Sequence, residues 1–163
     1  MTPNALFSLA SGAASLAWLM LISGLLLQAW ANAPRSAELA GRILLWLGGR
    51  MIPVLLSLGY AAAIAHWWGT GPGSFSSLAD VAALFTVPGM VLAGWVHYLA
   101  FDLWVGRWEI DALTAHTNAG WVLRLLTIPC LMLTFLFGPI GLLLFLALLR
   151  THKRMTSNLL NHK

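Results

Sequence analysis

The sequence predicts an all-α fold, a polytopic membrane protein whose four transmembrane helices form one bundle. Composition is the first reason. Of 163 residues, 60% are hydrophobic and only 9% are charged, whereas a soluble domain carries roughly 25% charged residues. That leaves too little polar surface to solvate a globule of this size. Patterning is the second reason. Stretches such as Leu16–Leu27 and Leu142–Leu149 are apolar on every side. A membrane barrel would alternate with a period of two, and backbone in hydrocarbon must satisfy its own polar groups, so helices remain.

The chain reads as one integral membrane domain, residues 1–163, with spans at about 5–31, 51–68, 81–106 and 121–149 and a basic tail at 150–163. No Lys or Arg precedes the first span and no small-residue cleavage site follows a short apolar core, so it reads as a retained helix rather than a signal peptide. It ends at Trp30 and Asn32-Ala33-Pro34, where proline cannot continue a helix interior. In residues 35–50, Arg35, Glu38 and Arg42 alternate at helical spacing with Leu39, Ile43, Leu44 and Trp46. This fits either an interfacial amphipathic helix or an extension of the second span. Pro53 suits the first turn of that span, and His66, Trp67 and Trp68 close it. Gly69 to Ser74 is a loop, after which Ser77 or Asp80 can cap the third helix. Pro88-Gly89 predicts a kink within that helix. The fourth span, at 1.5 Å per residue, reaches about 43 Å against a core of about 30 Å. Tilt, a kink at Pro129 or a break at Gly138-Pro139 must absorb the excess, a re-entrant hairpin at that Gly-Pro being the alternative.

Four crossings place both termini and the 69–80 loop on one side. The 32–50 and 107–120 connections lie on the other, with Glu109, Asp111, His116 and Asn118 in the second of them. Basic residues then divide as Arg150, Lys153, Arg154 and Lys163 against Arg35, Arg42, Arg50, Arg107 and Arg124, which does not fix an orientation. They form no stripe that a nucleic-acid backbone would need, and no nucleic-acid partner is expected. Cys130 is the only cysteine, so no internal disulfide forms.

Ionisable groups inside a span are costly and usually face protein or water. His97 and Asp102 are the embedded pair, with Asp102 about one turn from the end of its span. Arg50, Arg107 and Arg124 begin or end helices at a similar level, so these five are expected to meet in one polar pocket. The angular arithmetic opposes this, since five residues differ by about 140° in direction. Asp102 paired with an arginine as an anchor, or His97 in an interhelical hydrogen bond, are the bland readings. Tryptophans gather near the interfaces as a belt, but Trp18 and Trp95 lie deeper and can line an apolar ligand groove. Haem is not expected, because His66, His97 and His116 do not share a depth on different helices. No metal-ligand spacing stands out, and no cofactor is expected.

The stretch Leu92-Ala93-Gly94-Trp95-Val96-His97-Tyr98-Leu99-Ala100-Phe101-Asp102-Leu103, followed by Arg107, resembles the abscisic-acid-deficient-4-like family, as do Pro129-Cys130-Leu131 and Phe137-Gly138-Pro139-Ile140-Gly141. The resemblance covers about residues 75–150, and the first two spans only by hydropathy. It implies a bacterial-type member of a family known in plants for neoxanthin synthesis, an epoxide-to-allene isomerisation of a carotenoid. Such chemistry needs a general acid at the epoxide oxygen and a base for a vinylic proton. On that reading His97 and Asp102 are the catalytic pair, with Arg107 setting the carboxylate's charge. Trp18, Arg50, Trp95, Tyr98 and Arg124 would bind the ligand. The competing reading is a non-catalytic carotenoid or lipid carrier, or a membrane-complex assembly subunit. A proton-coupled transporter is disfavoured by the lack of a broken-helix site at mid-depth. The expected partners are membrane lipid and a carotenoid or other isoprenoid, with self-association or a membrane-complex partner in addition. The expected location is the bacterial inner membrane.

Overall fold

The computed structural model describes residues 2–30, 33–115 and 120–161, with side chains given to residue 158. The expectations that fall on Ala31, Asn32, His116, Asn118 and Lys163 lie outside the described residues. Every regular element among those described is helical.

Helix α1 (Pro3–Ala29) starts at Pro3, where the missing N–H costs nothing, and Thr2 accepts a hydrogen bond from Ala5 N at 3.3 Å. The small residues Ala10, Ala14 and Ala17 are buried on one flank and let neighbouring helices approach closely. Helix α2 (Arg35–Trp46) runs through a π-helical turn (Leu47–Met51) into α3 (Ile52–Trp67). The 35–50 segment is therefore an extension of the second span, giving one helix of 33 residues. Its π turn carries Gly48 and Gly49. A Cβ at Gly48 would meet the Ala17 carbonyl at 2.7 Å, and one at Gly49 would meet the Arg107 side chain at 2.5 Å. The absence of side chains here lets α1 and the Arg107 stem lie directly on the turn.

The third span differs from the sequence expectation. Helix α4 (Leu78–Leu84), capped by Ser77 on Asp80 N at 3.1 Å, stops at Phe85. Helix α5 (Pro88–Thr114) then leaves at 102° to it. Pro88 opens a new helix instead of kinking an old one, because a ring nitrogen without a proton fits the first turn. The span thus begins seven residues later than residue 81. Asp102 moves from near its end to its middle, and Glu109 moves from a connection into the helix.

The fourth span also differs. Helix α6 (Trp121–Phe137) ends at Gly138, whose φ of +48° and ψ of −101° are open to glycine and strained for other residues. Helix α7 (Pro139–Asn161) folds back along α6. Gly120, Leu123 and Leu126 share one cleft with Leu148, Thr151 and His152. In an uninterrupted helix Gly120 and His152 would be about 48 Å apart. The pair is therefore an antiparallel hairpin with its apex at Gly138-Pro139. The apex is packed so closely that a Cβ at Gly141 would fall 2.1 Å from the Thr134 amide nitrogen. The four-span bundle is corrected accordingly. Arg35–Trp67 and α1 are long and apolar enough to cross a membrane, α4 with α5 makes a third when counted together, and α6 is a shorter apolar helix.

The hairpin also moves the tail. Arg124 Nη1 donates to the Gln28 carbonyl at 3.1 Å, which sets the start of α6 beside the end of α1. The end of α7 lies beside the start of α6. So Arg150, Lys153 and Arg154 sit at the same end of the bundle as Arg35, Arg42, Arg50, Arg107 and Arg124, and not at the end that holds the N-terminus. All described Lys and Arg residues lie in the half of the bundle toward that end, called the basic end below, with Arg50 and Arg107 the deepest of them.

Candidate functional site

Helix α5 carries a polar stripe on the face turned toward α1 and the hairpin. Tyr98, Asp102, Gly106 and Glu109 follow one another at spacings of four, four and three, which keeps them on one face of a helix. Asp102 is 9% exposed and Glu109 is 0% exposed. Glu109 accepts at Oε1 from the Thr134 hydroxyl of α6, at 2.9 Å. Tyr98 donates to the Phe135 carbonyl at 2.9 Å. The Asp102 carboxylate rests on the hairpin apex, where a Cβ at Gly138 would stand 3.0 Å from Oδ1. It lies beside the first turn of α7, the positive end of that helix's dipole, which favours negative charge. Between the two acids the Trp18 ring fills the space that Gly106 leaves, with a Cβ there landing 2.5 Å from its edge, and it packs on Phe135 at 5.5 Å.

Three polar atoms of this stripe are buried without a partner among the described residues: Asp102 Oδ2, Glu109 Oε2 and Trp18 Nε1. Leaving such a group unpaired costs about 1–3 kcal/mol, more when charged. Two acceptors and one donor in the same interior are an arrangement that a hydroxylated or epoxidised ligand could complete. Among the described residues no group of three His, Cys, Asp or Glu could hold a metal ion.

The residues singled out from the sequence divide into three places. Trp18, Tyr98 and Asp102 belong to the stripe. His97 does not: it is exposed on the outer face of α5, stacked on Phe101 at 4.6 Å and against Tyr60 at 5.2 Å. The expected single pocket for His97, Asp102 and the arginines is therefore corrected, and the 140° between the first two is the reason. Arg107 binds Asp111 through Nε at 3.0 Å and Nη2 at 2.6 Å, while Arg50 reaches the same carboxylate at 3.4 Å and lies over Trp104 at 5.1 Å. Arg124 is held at the Gln28 carbonyl. Trp95, 38% exposed, donates to Ser11 Oγ at 2.9 Å. An apolar cavity of about 420 Å³ between α1, α3 and α5 is lined by Ala13, Ile52, Leu56, Trp67 and Val96 among others, and by neither Trp18 nor Trp95.

Glu109 is the member that sequence reasoning missed. Placing the end of the third helix at 106 put Glu109 in a loop. Its signal was present, because Asp102 and Glu109 are seven apart and differ by only about 20° in direction. Thr134 and Gly141, which bring the hairpin onto that face, carried no comparable signal.

No curated protein and no solved structure matches this chain. A family model does match, and it reaches through the first two spans as well as the stretch around Asp102. Residues 5–145 fit the model of the ABA DEFICIENT 4-like proteins, and the chain belongs to that family.

Proposed function

We propose that this protein is an epoxy-carotenoid isomerase of the neoxanthin-forming type, working in a membrane on the polar end of an otherwise apolar ligand. The observation that carries the proposal is the buried stripe with three unpartnered polar atoms at mid-depth of α5. Family membership supports a carotenoid as the substrate class, in line with the resemblance. About 10 Å of helix rise separates Asp102 from Glu109, and an end ring of a carotenoid reaches both acids once the Trp18 ring that packs between them turns aside. Glu109, oriented by Thr134, delivers a proton from Oε2 to the epoxide oxygen as the C–O bond breaks. Asp102 Oδ2 takes the vinylic proton, and that C–H electron pair becomes the second of two adjacent C=C bonds. One proton is given and one is taken, so the product is an isomer and no co-reactant is consumed. Trp18 Nε1 steadies the oxygen as it gains charge. His97 and Arg107 take no part in this scheme, the first being outside the stripe and the second engaged by Asp111.

On this reading α1, the α2–α3 helix and α5 cross the bilayer and the α6–α7 hairpin enters from the basic end. That end faces the cytoplasm of a bacterial inner membrane, by the excess of Lys and Arg on the untranslocated side. The test is pigment analysis in a host that makes an epoxy-carotenoid. Glu109→Gln and Asp102→Asn should each lower conversion by at least about 100-fold with undiminished protein in the membrane, and His97→Ala should convert normally. Conversion retained in both carboxylate variants would refute the scheme. Pigment that co-purifies with a wild-type protein unable to convert it would favour a carrier instead.

A further inference from the structure

A second cavity, of about 310 Å³, lies at the basic end, and it has a different chemistry. Gln28, Arg42, Leu45, Trp46, Arg50 and Arg107 line it, three guanidinium groups with no carboxylate among them. It opens between Gln28 of α1, the second half of α2 with its π turn, and α5. The π turn builds it: Gly49 leaves room for the Arg107 stem, and the turn points Arg50 toward the same carboxylate that Arg107 binds. Asp111 holds two nitrogens of Arg107, but the third, Nη1, is buried with no partner among the described residues. The other charges facing the group are Asp111, shared by Arg50 and Arg107, and Glu38, which reaches Arg42 at 3.6 Å. Neither carboxylate is part of the cavity wall. Leu45 gives the wall a buried apolar part, and Trp46, 57% exposed, gives it an apolar outer edge.

We propose that this cavity binds the phosphate of an anionic membrane lipid. Guanidinium groups offer several N–H donors in a fixed fork, which suits a phosphate better than a point charge does. A basic pocket between membrane helices is a site of that kind. The apolar edge favours a phosphate that carries acyl chains over a free one. The site is separate from the α5 stripe and does not depend on the isomerase reading.

The test is native mass spectrometry of the full chain, delipidated in detergent, with short-chain phosphatidylglycerol, short-chain phosphatidylcholine and inorganic phosphate as probes. Phosphatidylglycerol should bind about tenfold more tightly than phosphatidylcholine. Arg42→Gln and Arg50→Gln should each weaken phosphatidylglycerol by about fivefold and leave phosphatidylcholine unchanged. Arg42 is exposed, so its variant keeps the test valid if the Arg50 variant fails to fold. Arg35→Gln, an exposed arginine of the same helix outside the cavity, should change nothing. Equal binding of the two lipids, or an equal loss in the Arg35 variant, would overturn the site. Displacement of phosphatidylglycerol by millimolar inorganic phosphate would overturn the lipid as its occupant.

Discussion

Gly141→Ala separates a hairpin from a straight fourth helix, because the two arrangements predict opposite signs. In an uninterrupted, lipid-facing helix, alanine in place of glycine stabilises by about 1 kcal/mol through helix propensity alone. In the hairpin the new Cβ falls 2.1 Å from the Thr134 amide nitrogen and 2.2 Å from its Oγ1. Neither neighbour is the loose end of a flexible side chain: one is backbone, and the other is tied to Glu109. Overpacking costs about 1–3 kcal/mol, and interference with backbone belongs at the upper end of that range. Offsetting about 3 kcal/mol by the propensity gain of about 1 leaves a net loss of about 2 kcal/mol. For a chain of this size that corresponds to a fall in Tm of about 4–8 °C. Thermal unfolding in detergent, followed by tryptophan fluorescence, reads it out. Gly12→Ala is the control, since nothing lies within 4 Å of a Cβ there, and its Tm should stay level or rise. A Gly141→Ala protein as stable as the parent would show that α6 and α7 do not pack as described.

On the three-crossing reading the start of α1 and the end of α7 lie on opposite sides of the membrane, so reporters fused to the two ends of the chain should become accessible from opposite faces; both on one face would restore four crossings. Among the described residues, Thr134→Val removes the one side-chain hydrogen bond to Glu109 and leaves both carboxyl oxygens buried and unpaired. It should cost about 1–3 kcal/mol in chemical denaturation. A variant of unchanged stability would mean that Glu109 finds another partner.

The helical class, the first two spans and the membrane setting were legible because apolar runs of that length have one solution in hydrocarbon. Two prolines decided what was not legible. Pro88 reads equally well as a kink or as a first residue, and the seven residues between those readings changed the depth of everything on α5. Pro139 follows a glycine at positive φ, a pair that permits a break but does not state its angle. The cleft shared by the start of α6 and the end of α7, and the packing of Gly141 on Thr134, show that α7 turns back. The facing of α5 was legible in part: Tyr98 and Asp102 fall together as the helical wheel requires, and His97 falls away. The i,i+4 pair Arg107–Asp111 was also readable, and recognising it would have withdrawn Arg107 from the catalytic group.

The re-entrant hairpin changes what insertion of this chain requires. On the three-crossing reading, the 68–87 stretch has to be carried through the bilayer during synthesis. It contains no lysine or arginine, so its passage brings no basic side chain across the hydrocarbon. The last third of the protein is translocated nowhere; it can dip in from the side on which it was made, after the earlier helices have formed a wall to receive it. Delivery of the hairpin and assembly of the Asp102–Glu109 interior would then be a single event, the last one in the maturation of the molecule.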